Sequence, residues 1–115
     1  MGFFVDQQED GIDFPGVGTI FIKHEMSQGD QTALEKTMYK LQIDGLGKGK
    51  PDIKGELELG NQKLLEINII RMVDSDGKVT VATPAIIASL KRTVTARLLR
   101  EISQRNPLVE EEKPI

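Results

Sequence analysis

Along the chain, apolar residues recur at a period of two in some stretches and at a period of three to four in others, and each change marks a predicted element. Residues 17–25, V-G-T-I-F-I-K-H-E, follow the turn signal Pro15-Gly16 and are rich in β-branched and aromatic side chains. They predict a strand with Ile20, Ile22 and His24 on one face and Thr19, Phe21, Lys23 and Glu25 on the other. Ser27-Gln28-Gly29-Asp30 then places an acid three residues after a hydroxyl, a short-armed capping box that predicts a helix start. Ala33, Leu34, Thr37, Met38 and Leu41 continue it as one apolar stripe.

Residues 42–55 hold four glycines, Pro51 and three lysines, which predicts an exposed loop with a basic tip. Ile53, Leu57 and Leu59 alternate with polar residues and predict a short strand. Asn61 then caps a segment over residues 61–73 whose length and polar breaks favour a largely buried helix, although its end from Ile67 to Val73 is compatible with an extended chain. Asp74-Ser75-Asp76-Gly77 is turn chemistry and feeds the extended piece Val79-Thr80-Val81. Thr83-Pro84 pairs a capping hydroxyl with Pro at the first helical position. From there Ile87, Leu90, Val94, Leu98 and Ile102 step along one side to Asn106-Pro107. Thr93 is available to cap a second helix, so the stripe forms one helix or two.

These elements predict an α+β protein with a small N-terminal antiparallel hairpin or sheet and a mainly helical C-terminal half. One domain over residues 1–115 is expected from the length. Residues 1–16 form an acidic and aromatic arm that either frays or adds a strand, and residues 107–115 form a flexible acidic tail.

Composition narrows the chemistry. The chain has no Cys, no Trp, one Tyr and one His, so thiol nucleophiles, disulfides and cysteine-based metal sites are excluded. His24 has no visible partner for catalysis or metal binding. Glu56 with Glu58, and Asp74 with Asp76, fit exposed strand and turn positions better than an acid–base pair. No catalytic, cofactor-binding or metal-binding residue is nominated. The net charge of −3 gives no global basic field for nucleic acid or anionic membrane. With no run of about 18 apolar residues and no secretory leader, a soluble, unexported protein is expected.

Two local motifs fail their tests. G-L-G-K-G-K-P lacks the spacing and the Ser or Thr of a phosphate loop, and Pro51 follows Lys50. Asp74-Ser75-Asp76-Gly77 opens like a calcium loop, but Ala85 stands where the closing Glu belongs. The remaining charge feature is Lys91, Arg92, Arg97, Arg100 and Arg105 against Glu101. It forms either a solvated helix face or a dock for an acidic protein surface. No aromatic stacking platform accompanies it, which disfavours nucleic acid.

Taken together, the strand, I-K-H-E-M-S-Q-G-D-Q-T-A-L-E, the glycine-rich stretch, the apolar helix, D-S-D-G-K-V, T-P-A-I-I-A-S-L and the acid-and-Pro tail resemble the tail assembly chaperones of long-tailed bacteriophages. The resemblance spans about residues 18–114. The chain departs from that pattern at Gln28, where an aromatic is common, and at Met72, in a region where a Trp is common. The resemblance implies a non-enzymatic protein of the host cytoplasm that binds the tape-measure protein and tail-tube subunits. In that role Ile87, Leu90, Val94 and Leu98, with Arg97 and Arg100 beside them, are the candidate partner-binding residues; closing the core is the competing role for the same stripe. The competing function is a structural virion protein, such as a tail, head–tail joining or capsid-decorating subunit, using the N-terminal arm to join neighbours. A small nucleic-acid-binding regulator comes third, and self-association into a homo-oligomer is left open.

Overall fold

The computed structural model describes residues 3–47 and 53–106; the tail over 107–115 lies outside the described residues. In chain order the elements are β1 (Glu9–Phe14), β2 (Gly18–Lys23), α1 (Gln28–Gly47), α2 (Ile53–Asn68), β3 (Ile69–Asp74), β4 (Val79–Val81), α3 (Pro84–Ala88) and α4 (Arg92–Arg105). The class is α+β. The four strands form one antiparallel sheet in the order β1-β2-β3-β4, with α1 and α2 inserted between its two central strands.

Alternation gives the sheet two unlike faces. Ile12, Ile20, Met72 and Thr80 lie in register across it, and this face meets the helices. Ile12, Ile20 and Ile22 join Leu65, Ile69, Ile87, Leu98 and Ile102 in one buried cluster. Each fully buried aliphatic side chain is worth about 1.5–3 kcal/mol relative to exposure, so this cluster is the main source of stability. The opposite face carries Phe21, Arg71, Val73, Val79 and Val81, and among the described residues no helix covers the two valines of β4, which are 56% and 71% exposed. A bulge between Phe21 and Ile22 leaves Ile70 without a direct partner and lets the sheet bend where α2 enters β3.

Gly18 permits a close approach of β2 to β3. It has φ of +153°, and a Cβ there would sit 2.2 Å from the Val73 carbonyl oxygen of β3. The Asp74–Gly77 turn closes the other hairpin: Asp74 Oδ1 accepts from the amides of Asp76 and Lys78, and Gly77 takes a φ of +85°.

Two of the capping signals hold. Asp30 N donates to Ser27 Oγ and Ser27 N donates to Asp30 Oδ2, both at 3.1 Å, the reciprocal capping box at the start of α1. Ile86 N donates to Thr83 Oγ1, with Pro84 in the first turn of α3. The C-terminal stripe is divided into two helices, and the cap of the second is Lys91 rather than Thr93. Of the two options for the N-terminal arm, residues 9–14 take the strand.

Three expectations are corrected. The loop over 42–55 is helical up to Gly47 and again from Ile53, with 48–52 outside the described residues. The short strand over 53–59 is the first half of α2, so Asn61 is interior to a helix and caps nothing. The buried helix over 61–73 ends at Asn68, and the chain continues as β3. Short alternating windows do not separate strand from helix, and one Gly costs only about 1 kcal/mol in a helix. α1 and α2 each carry more than one Gly and pack against each other.

Candidate interaction cleft

The core opens to solvent at one end of the sheet, where Phe14 of β1, Met72 of β3 and Thr80 of β4 face Leu90 and Val94 from the α3–α4 elbow. The opening is an apolar cleft of about 170 Å³. Ligand sites for small molecules run to about 300–1,000 Å³, so this one suits one or two apolar side chains of a larger partner. Its apolar walls follow from the sequence: strand alternation supplies Phe14 and Met72, and the helical stripe supplies Leu90 and Val94.

Asp74 is the charged residue of the lining, and Arg97 borders the cleft through the Phe14 ring. Its guanidinium lies 4.9 Å from the centre of the Phe14 ring, and Nη1 donates to the Asp13 carbonyl oxygen. The contact fixes both the ring that forms the cleft wall and the cation that borders it. The six residues nominated from sequence therefore separate. Leu90 and Val94 line the cleft and Arg97 borders it. Ile87 and Leu98, 1% and 0% exposed, belong to the buried core. Arg100 is exposed on α4 and does not line the cleft. Phe14 and Met72 were missed because their convergence with the helix depends on tertiary structure; the apolar positions themselves were visible.

A polar cluster lies on the helix-facing side of β1. Asp10 Oδ2 accepts from Arg105 Nε at 2.6 Å and meets His24 Nδ1 at 2.9 Å, while Arg105 Nη1 donates to Glu101 Oε2 at 2.9 Å. The hydrogen bond from Arg105 holds the Asp10 carboxyl below its ordinary value against the opposing effect of burial, and His24 adds to the lowering. The bond to Asp10 raises His24, again against burial. A His oriented by a carboxylate is one part of a nucleophilic site, yet among the described residues no hydroxyl bonds to the His24 ring. The arrangement ties β1 and the chain after β2 to the last turn of α4. Among the described residues there is no group of three or more side chains able to hold a metal ion, and no helix long and apolar enough to cross a membrane.

Comparison of the chain with protein-family models, with curated proteins and with solved structures finds no match. The fold and its surface define an α+β protein with a small apolar cleft.

Proposed function

We propose that this chain is a non-enzymatic binding protein, and specifically a phage tail assembly chaperone that holds apolar segments of the tape-measure protein and contacts tail-tube subunits before they assemble. The observation that carries the binding role is the apolar cleft of Phe14, Met72, Leu90 and Val94 with Arg97 at its rim. A long, helix-prone protein exposes apolar side chains at three- and four-residue steps, and a cleft sized for one or two of them can shield those side chains without demanding a unique sequence. The phage assignment rests on the sequence resemblance, and the host cytoplasm is the compartment that goes with it.

The test is co-expression with a tape-measure protein of a long-tailed phage. Leu90→Asp and Val94→Asp, each at a partly exposed cleft position, are expected to reduce co-purification about tenfold or more, the loss of one well-placed apolar anchor. Co-purification at the wild-type level with both variants folded would overturn the reading.

A structural virion subunit is the second reading, favoured by Phe3 and Phe4, which stand 104% and 89% exposed ahead of β1 as an arm for a neighbour. Purified virions separate the two: a chaperone is absent from the mature particle, and a structural subunit is present in stoichiometric copies.

A further inference from the structure

Strand β4 is an edge of the sheet, with β3 as its one neighbour. Asp74 N donates to the Lys78 carbonyl at 3.0 Å, and Met72 pairs with Thr80, so Lys78 and Thr80 occupy the positions whose backbone groups face β3. Alternation turns the N–H and C=O groups of Val79 and Val81 outward. Val81 O takes one bond from Thr83 N at 3.0 Å and keeps a second lone pair. The far edge of the sheet is protected against pairing, because β1 reads E-D-G-I-D-F with acids at three of its six positions. Val79-Thr80-Val81 carries no charge, and both valines are largely exposed.

The geometry points to β4 as a dimerisation edge that takes the same strand of a second copy of this chain, running antiparallel about a two-fold axis through Thr80. The sequence V-T-V reads identically in both directions, which is what an isologous strand pair requires. Val79 N–H donates to the second copy's Val81 carbonyl, Val81 N–H donates to the second copy's Val79 carbonyl, and the axis repeats both bonds. Four valines then form one apolar patch on the outer face. Lys78 falls opposite the second copy's Ala82, so no like charges oppose each other directly. On the inner face Thr80 lines the cleft of each copy, so the two clefts run together across the axis into one trough. This inference stands without the assembly role proposed above. A contact this short is below the standard interface size, so a weak, concentration-dependent dimer is expected.

Two experiments on the full chain test it. Sedimentation velocity from about 1 μM to about 1 mM should show the mass rising from 12.8 kDa to twice that value, and Val81→Lys should hold it at 12.8 kDa throughout. The chain has no cysteine, so Thr80→Cys introduces a single one. The two Thr80 Cα atoms would lie about 4.5 Å apart, within disulfide reach, whereas residues 79 of the two copies are staggered by two positions and exceed the limit of about 7 Å. Oxidised glutathione, which takes up the two electrons and leaves as two reduced molecules, should link Thr80→Cys at least about tenfold faster than Val79→Cys. Circular dichroism and a cooperative urea transition verify each variant's fold. If Val81→Lys does not fold, the wild-type mass and the cysteine pair decide. A wild-type chain that stays monomeric at every concentration, equal cross-linking at 79 and 80, or a folded Val81→Lys that still dimerises would overturn the inference.

Discussion

Asp10 Oδ2 accepts a hydrogen bond from Arg105 Nε at 2.6 Å, joining the first strand of the sheet to the last turn of the last helix across 95 positions of sequence. Few contacts in the fold connect elements so far apart in the chain. Asp10→Ala and Arg105→Ala are each expected to lower the unfolding free energy by about 1–3 kcal/mol, the range for a charged hydrogen bond that is largely shielded. Arg105→Lys should recover only part of it, since an ammonium cannot bond Asp10 and Glu101 through a fixed planar fork. Urea titration gives the values, and unchanged midpoints would remove the connection as a source of stability.

The same cluster sets a pH dependence. Asp10 is held below its ordinary 3.8, so its contribution is complete above that value and is lost as pH falls through the lower folded-state pKa. Asp30 behaves alike: burial pushes it up, and Lys23 and Ser27 outweigh burial. His24 is raised above its ordinary 6.5, so its contribution is complete below that pH and is lost as pH rises through the higher folded-state pKa. Unfolding curves of the wild type against His24→Gln should therefore converge at high pH and separate below about 6.5. A constant difference across that range would contradict the assignment.

Arg97 and Arg100 are neighbours in sequence with different roles. Arg97→Glu removes the cation over Phe14 and is expected to weaken partner capture about tenfold, with a stability cost of about 0.5–2 kcal/mol. Arg100→Glu, away from the cleft, should leave capture within about twofold of wild type. Equal losses would mean that net charge on α4, rather than the cleft rim, governs binding.

Gly18→Ala would drive a methyl group into the Val73 carbonyl. The β2–β3 pair must then separate, at a cost of about 2 kcal/mol or more. Gly77→Ala strains the turn but meets no atom within 4 Å, so its penalty is expected to be smaller, about 1 kcal/mol. Thermal unfolding of the two variants side by side checks the order.

Asn68 ends α2 fully buried; its Nδ2 donates to the Leu64 carbonyl at 2.9 Å, while Oδ1 has no partner among the described residues. Asn68→Asp would place a carboxylate where no donor awaits it. The expected loss is about 3 kcal/mol at neutral pH, shrinking as the medium is acidified and the carboxyl is protonated. A loss independent of pH would point to shape rather than charge.

Capping and turn chemistry were legible in the sequence because they act within a few residues. Ser27 with Asp30, Asp74 with Gly77 and Thr83 with Pro84 all fold as their side chains dictate. The region from Gln42 to Leu59 was misread because glycine content and a short alternation describe local preference, whereas α1 and α2 are held by each other. For the cleft, Leu90 and Val94 emerged from helical spacing. Their burial relative to Ile87 and Leu98 did not, since one stripe turns inward and outward according to which strand faces it. The Asp10–His24–Arg105 cluster left no local signal, because its members meet only when the sheet and α4 are assembled.

The insertion of α1 and α2 between β2 and β3 has a consequence for how the molecule reaches its fold. The outer hairpins close over a few residues, but the central pairing of β2 with β3 must wait until the chain has looped out from Lys23 and returned at Ile69. Closing so long a stretch carries an entropic cost that the outer hairpins do not, so the β2–β3 pairing is expected to form after them. The excursion is more than a connection, because α2 returns Leu65 to the core cluster and delivers the chain to the register of Gly18 against Asp74.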